Sequence, residues 1–582
     1  MKILFLHPED SPDRGPWADQ TWNRVIDLGA AGPSSYQAWT EKLHCPVEPL
    51  QSPGNGMDEI RMLRELLAVG RGRLLDRQGL DWWELNSVFL EQQLTTTAML
   101  SQVTSLIGGN DQVSVTKPGF HADVLSVVLG RDVHSFAPEA SRWRELGHYA
   151  TVARKFPLSQ LQEIFWDKYD PAYEFRGRFR RRRAPSKTPV VLLPSAYVNV
   201  SRIAIAYANT LPDENFLLVA TRQSGWVTAP PANVNVARLS SYASSRTESA
   251  QECSELLEKW QDLLRDLQSS FPEVAVLARL KIFDQFSRLL RLGLGVRDAW
   301  RNVFEREPLK AVLCGDDGNP YTCIPLLLAR NQGMPTVACH HGALDGRHLF
   351  KRNHAGVILA KGAMEEDYLV RVCGVPPESV ETGAPAQTPL RSVRKTWDSS
   401  APQIVFFSEP YEAAGGRGEE YFCELLPPLA DLAMQTGRKL IVKLHAFESE
   451  RERNRVASRV LSAEQRPHVK VMSGPLAPDL LDDMWFGVTV GSTAAVECAL
   501  AGRPCFLCEW LPFGRYGYQQ QFARFGVGYP LKSADDIARV PQVLESYPGS
   551  KRKTSDLWQP IQAETLQSLL REPRRLPRYA AS

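Results

Sequence analysis

The chain has 582 residues, of which 43% are hydrophobic and 23% are charged, and its formal net charge at pH 7 is +2. At roughly 100–200 residues per domain, this length exceeds one ordinary core, and the composition is that of a soluble globular protein. The longest apolar runs, such as 190–193 and 324–329, fall far short of the about 20 residues that a membrane span needs. Composition therefore excludes a chain built around membrane helices.

The N-terminus and the cysteines favour a cytoplasmic protein. Residues 1–8 have too few apolar positions before Pro8 for a secretory signal and predict a first β-strand instead. The ten cysteines are scattered along the sequence, which favours reduced thiols. Cys498, Cys505 and Cys508 have no second C-x-x-C pair nearby, so no metal site is predicted.

A basic cluster, Arg176, Arg178 and the arginines of 180–183, precedes a segment rich in Pro, Ser and Lys. It fits a solvated linker between elements. It also fits attraction to an anionic glycan or to anionic lipid, worth about 1 kcal/mol per basic residue near a charged membrane. The second interpretation predicts peripheral contact with the inner face of the membrane. Aromatic residues are too sparse there to indicate nucleic acid.

Apolar strands alternate with helical stretches along most of the sequence, which predicts parallel sheets with helices on both faces. The strands predicted in the first part lie at 2–6, 113–115, 190–193, 216–220, 311–314, 336–339 and 356–360. The helices predicted there lie at 57–69, 85–106, 201–209 and 248–269. The predicted fold class is α/β, with two Rossmann-like domains facing a cleft and an N-terminal domain enlarged by helical insertions.

A polar stretch at 390–402 that ends in proline predicts a linker between two domains. After it the pattern restarts, with strands at 404–407, 439–444, 469–472, 487–490 and 504–507 and helices at 419–436, 449–461, 479–483 and 494–500. We therefore predict an N-terminal domain at 1–395 with a sub-boundary near 184–189, a second domain at 396–560 and a tail at 561–582.

The stretch at 487–507 is the most informative part of the chain. It predicts a buried strand, a Gly-Ser-Thr turn, a short helix from Ala494 and a second apolar strand, which is half of a nucleotide-binding βαβ unit. Unpaired backbone N–H groups and the helix dipole favour a phosphate at that turn, where Ser492 and Thr493 can donate further hydrogen bonds. Glu497 is predicted either near a bound ribose or as a complement to the helix dipole. The turn predicts a phosphorylated ligand, such as an activated sugar.

Polar residues also follow two strands of the first domain. Asp316 and Asp317 have the character of a catalytic or hydroxyl-binding pair, or alternatively of an Asp-Gly turn. His340 and His341 follow the next strand, where a histidine serves as a general base or binds phosphate. We favour His341, because the glycine after it permits close approach of a ligand. Asp345 is a third candidate acid.

Candidate ligand-binding residues end the first two strands of the second domain. Lys443 and His445 alternate onto one face, which suits a leaving phosphate that gains negative charge, although a surface lysine is the alternative. Ser408 and Glu409 precede a glycine-rich loop at 415–418 that is a candidate phosphate cradle.

Three motifs resemble those of bacterial surface-polysaccharide glycosyltransferases of the GT-B type: Val337-Ala-Cys-His-His-Gly342, Lys443-Leu-His-Ala446 and Gly491-Ser-Thr-Ala494. The resemblance is to capsule-type Kdo transferases, bacterial sialyltransferases and the glycerophosphotransferases of teichoic-acid synthesis. Asp316-Asp317-Gly318 is similar to the sialyltransferase motif that bears the general base. The likeness covers roughly residues 310–510. In one departure, Ala446 stands where those families have a proline, which would fix the chain after His445.

The resemblance implies a metal-independent glycosyltransferase without a cofactor. Its substrates would be a nucleotide-sugar donor and a glycan or lipid-linked acceptor hydroxyl in surface polysaccharide synthesis. It implies four roles: a base toward the acceptor (Asp317 or Asp316), stabilisation of the leaving phosphate (His445, Lys443), a grip on that phosphate (Ser492, Thr493) and a wall of the cleft (His341). Ser408, Glu409 and Glu497 are donor-binding candidates on position alone.

Two alternatives stay open. A nucleotide-sugar 2-epimerase has a similar fold and a similar phosphate turn, but usually a shorter chain than this one. A non-catalytic GT-B relative would bind glycan or serve as a scaffold. The several polar motifs at predicted strand ends count against that reading, whereas Ala446 leaves an inactive relative open.

Overall fold

The computed structural model describes residues 1–582 except 51–56, 88–89, 137–183, 244–246, 319, 387–395, 513, 515, 547–553 and 575–582. The basic cluster at 176–183 and the first part of the predicted linker lie outside the described residues. Among the helices that are described, none combines the length and the apolar character that a membrane span requires.

The described strands, in chain order, are β1 (Lys2–Leu6), β2 (Arg24–Asp27), β3 (Val47–Pro49), β4 (Gln112–Val115), β5 (His134–Ser135), β6 (Val190–Ser195), β7 (Phe216–Ala220), β8 (Val234–Arg238), β9 (Leu309–Cys314), β10 (Thr336–Cys339), β11 (Val357–Ala360), β12 (Val380–Thr382), β13 (Gln403–Phe407), β14 (Lys439–Lys443), β15 (Val469–Met472), β16 (Met484–Thr489), β17 (Cys505–Cys508) and β18 (Tyr529–Leu531). They form three sheets. The N-terminal sheet has the order β3-β2-β1-β4-β5, the middle sheet β12-β11-β10-β9-β6-β7-β8, and the C-terminal sheet β15-β14-β13-β16-β17-β18.

The described α-helices are Pro33–Leu43, Met57–Gly70, Trp82–Ser87, Glu91–Thr104, Phe120–Leu129, Val198–Ala208, Thr247–Ser270, Pro272–Arg279, Phe286–Arg306, Pro320–Asn331, Ala363–Asp367, Gly418–Gln435, Glu450–Val460, Pro478–Asp482, Ala494–Leu500, Tyr518–Arg524, Val540–Glu545 and Ala563–Leu569. Three of them form a helical insertion between β8 and β9. The strand pairings of all three sheets are parallel. The predicted α/β class with parallel sheets and helical insertions is therefore confirmed.

Continuous apolar strands place the central strands of the larger sheets in the core. Every residue of β6 and of β7 is buried, as expected for parallel strands that are covered on both faces. The helix Ala563–Leu569 closes the core of the middle sheet through Leu566 and Leu569. In the C-terminal sheet, all residues of β16 are buried.

The described chain forms two compact units. Unit 1 comprises Met1–Met57, Ala98–Glu139 and Thr388–Leu557, and it holds the N-terminal and C-terminal sheets. Unit 2 comprises Asp58–Thr97, Ala140–Gln387 and Trp558–Ser582, and it holds the middle sheet. This division differs from the predicted ranges, because the first sheet belongs with the C-terminal sheet and the predicted tail belongs to unit 2. Hydrophobic periodicity locates elements but does not show which sheets associate.

Within unit 1, Arg417 links the C-terminal sheet region to the N-terminal sheet. Its Nε lies 2.8 Å from Asp27 Oδ2 and its Nη2 lies 2.6 Å from Asp27 Oδ1, and both side chains are buried. The guanidinium also donates to the backbone oxygens of His7, Pro8 and Asp10. All the N–H donors of the guanidinium are thus used, and this buried ion pair connects the two parts of unit 1.

The observed elements differ from the predicted ones in two ways: one predicted helix is divided, and several strands, β8 among them, were not predicted. The predicted helix at 85–106 is two helices, Trp82–Ser87 and Glu91–Thr104. The first begins earlier than predicted because Asp81 Oδ1 accepts a hydrogen bond from Trp83 N at 3.1 Å. Strands β2 and β3 have four and three residues, too few to give a clear apolar run in the sequence.

Candidate functional site

The predicted site residues lie at the carboxyl edges of two sheets, where parallel sheets bind their ligands. One set follows β13, β14 and β16 in unit 1, and we call it the turn site: Ser408, Glu409, Lys443, His445, Ser492, Thr493 and Glu497. The other set follows strands of the middle sheet in unit 2, and with its partners we call it the polar cluster: Tyr197, Asp316, Asp317, His341, Asp345, Arg347 and Lys351. Each is a candidate site within its own unit.

The register of the C-terminal sheet aligns the three strand ends of the turn site. Phe407 of β13 pairs with Lys443 of β14 on one side and with Thr489 of β16 on the other. Neighbouring strands are about 4.8 Å apart, so Lys443 and Thr489 lie about 10 Å apart across the sheet. The residues that follow them therefore line one compact edge.

The backbone N–H groups of the Gly-Ser-Thr turn are used by side chains of the protein itself. Gly491 N donates to Glu409 Oε2 at 3.0 Å, and Ser492 N donates to Thr489 Oγ1 at 3.1 Å. Ala494 N donates to Ser492 Oγ at 3.3 Å. These three groups fix the shape of the turn and do not form the unpaired N–H cradle that the sequence suggests.

Contact between the turn and a ligand therefore falls to the two hydroxyl groups. Ser492 is half-buried and Thr493 is exposed. The helix that follows, Ala494–Leu500, has seven residues, and the Thr493 hydroxyl makes no capping hydrogen bond to it. Both hydroxyls stand at the edge of the sheet, where they can donate to an anionic oxygen.

Glu409 lies behind the turn rather than in front of it. Its side chain is buried, and burial raises the pKa of the carboxyl to about 8, against the opposing effect of the hydrogen bond from Gly491. The group is thus largely protonated at pH 7 and supports the turn without facing solvent.

Lys443 braces the neighbouring loop. It is buried, and its Nζ donates to Leu444 O at 2.8 Å and to Gly474 O at 2.5 Å. Burial lowers the pKa of its ammonium, while the charges of Glu448 and Glu497 oppose that shift. Glu497 is half-buried in the first helical turn and so acts electrostatically on Lys443.

His445 is exposed at the end of β14, on a turn that is itself held in place. Its Nδ1 accepts a hydrogen bond from Phe447 N at 3.3 Å, and its own N donates to Glu448 Oε2 at 2.9 Å. Burial of part of the ring and the charge of Lys443 lower the pKa of the imidazole. The neutral ring thus carries its proton on Nε2, the nitrogen that can donate to a ligand.

Ser408 has a structural partner in the same turn. Its Oγ donates to Glu448 Oε1 at 2.8 Å, and Arg453 Nε donates to the same oxygen at 2.7 Å. Glu448 thus connects the ends of β13 and β14. Ser408 positions this edge and is buried.

The glycine-rich loop at 415–418 uses its N–H groups within unit 1. Gly416 N donates to Tyr411 O and Arg417 N donates to Ala30 O, both at 2.8 Å. Gly415 N donates to Glu412 O at 3.2 Å. The loop therefore does not form the phosphate cradle that its glycines suggest.

In the polar cluster, Asp316 is buried and hydrogen-bonded through both oxygens. Its Oδ2 accepts from Tyr197 OH at 2.5 Å and lies 3.5 Å from His341 Nδ1. Its Oδ1 accepts from Arg347 Nη2 at 2.9 Å and from Gly318 N at 2.8 Å. Burial opposes ionisation, but Arg347 and the nearby histidines prevail and lower the pKa of the carboxyl.

Asp317 and Asp345 share the ammonium of Lys351. Lys351 Nζ lies 2.5 Å from Asp317 Oδ1 and 2.8 Å from Asp345 Oδ2, and all three side chains are buried. Arg347 Nε adds a 2.8 Å bond to Asp345 Oδ1. Burial opposes ionisation, yet Lys351 holds the pKa of both carboxyls well below the usual value.

His341 is partly accessible, with 23% of its side chain exposed, whereas Asp316, Asp317 and Asp345 are buried. Its Nδ1 also lies 3.3 Å from Tyr197 OH. Burial lowers the pKa of the imidazole, so it is mainly neutral at pH 7. The role of His341 as a general base or a phosphate ligand stays a prediction.

Among the residues that the structure describes, two groups of side chains have ligand atoms close enough for a metal ion, all within 4.8 Å of one another: Asp316, His340 and His341, and Asp317, Asp345 and His348. Two protein cations already pair with the three carboxylates of these groups. Arg347 bonds Asp316, and the Lys351 ammonium lies between Asp317 and Asp345. Three carboxylates and two cations leave one net negative charge, so a divalent ion would make the group net positive by one charge.

Sequence reasoning missed Tyr197, Arg347 and Lys351. Tyr197 follows the buried strand β6 by two residues, which is the same strand-end signal that singled out Asp316. Arg347 and Lys351 lie one helical turn apart in sequence, but nothing in their spacing reveals which carboxylates they contact.

No family model and no curated protein matches the chain. Among solved structures, the S. aureus MnaA–UDP co-structure is 11% identical with a TM-score of 0.41, over 66% of this chain and 95% of that one. MurG of Acinetobacter baumannii is 13% identical with a TM-score of 0.36, over 66% and 99%. The UDP-GlcNAc 2-epimerase of Methanocaldococcus jannaschii in complex with UDP-GlcNAc and UDP is 9% identical with a TM-score of 0.38, over 66% and 98%.

Likenesses at this level do not decide the function. The resemblance to Kdo transferases, sialyltransferases and glycerophosphotransferases is not confirmed by them and stays a prediction.

Proposed function

We propose that the chain is a glycosyltransferase that uses a nucleotide-sugar donor and a hydroxyl acceptor. The observation that carries the proposal is the geometry of His341. An accessible imidazole stands at a strand end with Nδ1 facing a buried, ionised carboxylate, Asp316. That arrangement favours a proton on Nδ1 and leaves Nε2 to accept a proton from a substrate.

His341 suits the role of general base better than either aspartate. A base must reach its substrate and must exchange a proton near neutral pH. Asp316 and Asp317 are buried, ion-paired and lowered in pKa, whereas His341 is partly exposed. We therefore propose His341 as the base and Asp316 as the group that orients it.

The proposed reaction conserves atoms and electrons. The acceptor hydroxyl gives its proton to His341 Nε2, and its oxygen forms a bond to the anomeric carbon of the donor sugar. The bond from that carbon to the phosphate oxygen breaks, and the nucleotide leaves with the electron pair. Stabilisation of this developing charge is the main task of the phosphate-binding groups.

In the turn site, three donors are available to the phosphate: the hydroxyls of Ser492 and Thr493 and the Nε2–H of His445. We propose no resident metal or cofactor for the reaction. The acceptor class, a glycan or lipid-linked acceptor of surface polysaccharide synthesis at the cytoplasmic face, rests on the motif resemblance alone.

The first test is a thermal-shift panel of CMP, CDP, UDP, GDP and their sugars. We expect one nucleotide to raise the melting temperature of the wild type, and Ser492→Ala/Thr493→Ala to abolish the shift. Ser546→Ala removes an exposed hydroxyl elsewhere in unit 1 and serves as the control. No response to any nucleotide would overturn the proposal in favour of a non-catalytic relative.

The second test follows the products with the stabilising nucleotide sugar. Transfer yields the free nucleotide and an extended acceptor, whereas 2-epimerisation changes the sugar of the donor. We expect His341→Gln to lower kcat at least 100-fold, because general-base catalysis contributes roughly 10²–10⁴-fold, while nucleotide binding stays intact. A variant with normal kcat would rule out His341 as the base.

A further inference from the structure

Phe447 is exposed in a way that calls for an explanation. Its side chain is 83% exposed, more than any other large apolar side chain in the described part of the chain. Single exposed apolar residues are common and by themselves mean little. The setting of this residue adds three further observations.

First, the turn that carries Phe447 is held rigidly. Phe447 N donates to His445 Nδ1 at 3.3 Å, and Glu448 N donates to His445 O at 3.1 Å. The Glu448 carboxylate in turn is bound by Ser408 Oγ and by Arg453 Nε. The ring is therefore presented to solvent by an ordered backbone.

Second, Phe447 has an aromatic neighbour that is also exposed. The rings of His445 and Phe447 meet edge to face, with centroids 5.0 Å apart and planes at 61°. This contact holds the exposed Phe447 ring beside the imidazole at the edge of the sheet.

Third, Phe447 lies at the edge where the turn site binds phosphate in our proposed function. It follows β14, whose end is two strands, or about 10 Å, from the end of β16. Phe447 therefore belongs to the same edge of the C-terminal sheet as the hydroxyls of Ser492 and Thr493.

We propose that Phe447 is the stacking surface for the base of the bound nucleotide. This inference rests on the proposed function and extends it to the nucleoside part of the donor. We call the Phe447 ring the platform. Stacking on aromatic rings is tolerant of base identity, so the platform raises the affinity for any nucleoside more than it selects among bases.

A protein partner fits the same surface poorly. Stable protein interfaces bury about 800 Å² on each partner, and they need a cluster of apolar residues. Around Phe447 the chain offers Ala446 and the polar residues Glu448, Ser449 and Glu450. One isolated ring suits a small planar ligand.

The test measures affinity by titration calorimetry for two ligands. One is the nucleoside diphosphate that stabilises the wild type, and the other is inorganic pyrophosphate, which has no base. We expect Phe447→Ala to weaken nucleotide binding at least fivefold, the factor that corresponds to about 1 kcal/mol, and to leave pyrophosphate binding unchanged. Phe447→Trp should retain or strengthen nucleotide binding. Leu106→Ala, at an exposed apolar residue elsewhere in unit 1, is the matched control.

The outcomes separate the two proposals. If nucleotide binding depends on Ser492 and Thr493 but changes less than twofold in Phe447→Ala, the platform is wrong and the proposed function stands. An equal loss for nucleotide and pyrophosphate would show a general disturbance of the turn, and would also overturn the platform. If the wild type binds no nucleotide, both proposals fail.

Discussion

At the scale of residues, buried carboxyl groups of this protein fall into two kinds according to what lies beside them. Asp316 and Asp317 have guanidinium and ammonium partners and stay ionised despite burial. Glu409 instead accepts a backbone N–H and lies near the Glu448 carboxylate, and burial raises its pKa to about 8. The same desolvation thus gives opposite protonation states, because the neighbouring charges differ.

Glu409 predicts a dependence of stability on pH. Its pKa is about 8 in the folded protein and about 4.5 as the unperturbed value, so between these values the folded state binds more protons than the unfolded state. Stability from this group is fully present below pH 4.5 and falls as pH rises toward 8, by up to about 1.4 kcal/mol per pH unit. Relative to Glu409→Gln, the wild type should therefore lose stability from pH 5 to pH 8.

Urea unfolding of both proteins at several pH values measures this difference. Glu464→Gln, at an exposed glutamate of unit 1, controls for the removal of a charge. A difference between wild type and Glu409→Gln that stays constant with pH would contradict the prediction.

The candidate residues could be predicted from the sequence wherever the end of a strand could be predicted. Asp316, His341, Lys443 and Ser492 all follow apolar runs, and the structure places them at sheet edges. Their protonation and orientation were not predictable. The partner that lowers the pKa of Asp316 is Arg347, 31 residues further along the chain.

At the scale of elements, continuous burial as well as length decided which strands the sequence revealed, since the five-residue β8 has exposed and half-buried positions and was not predicted. β6 and β7 are entirely buried, so each appears as an unbroken apolar run. β2, β3 and β12 have three or four residues each. Hydrogen bonds to the neighbouring strands of their sheets stabilise them, and the local sequence alone does not. Strand formation there depends on tertiary context.

The helix Phe286–Arg306 contains two glycines with opposite environments, which predicts opposite effects of alanine. A Cβ on Gly293 would overlap the ring of Trp82, which is buried and hydrogen-bonded to Asp76. A Cβ on Gly295 would meet no atom within 4 Å. We expect Gly293→Ala to destabilise unit 2 by about 1–3 kcal/mol, and Gly295→Ala to stabilise it by about 0.5–1 kcal/mol.

Each variant serves as the control for the other, because both add one methyl group to the same helix. The measurement is the free energy of unfolding in urea. Shifts of the same sign in both variants would show that local packing around Trp82 does not decide the outcome.

At the scale of the whole molecule, the order of sheets along the chain differs from their grouping. The first and last sheets belong to unit 1, while the middle sheet and the returning helix Ala563–Leu569 belong to unit 2. Periodicity in the sequence predicts each βα segment from its own residues. Grouping depends on contacts between residues hundreds of positions apart, such as Asp27 and Arg417, and no local pattern carries that information.

The Arg417–Asp27 pair predicts how unit 1 holds its two sheets. Arg417→Met would leave the buried Asp27 carboxylate without its cation and the carbonyls of His7, Pro8 and Asp10 without a donor. Breaking a buried ion pair typically costs about 3–5 kcal/mol. Amide hydrogen exchange should therefore accelerate in β1 and β2, whereas exchange in the middle sheet of unit 2 should not change. Arg459→Met, at an exposed arginine of the same unit, should leave both unaltered.

A double variant separates the ion pair from the carbonyl contacts. Asp27→Asn/Arg417→Met removes both charges, so its loss of protection should be smaller than the sum of the two single losses. If Arg417→Met exchanges at the wild-type rate in β1 and β2, the pair does not hold the sheets together. Additive losses in the double variant would instead assign the effect of Arg417 to its bonds with the carbonyl groups, because these bonds do not involve Asp27.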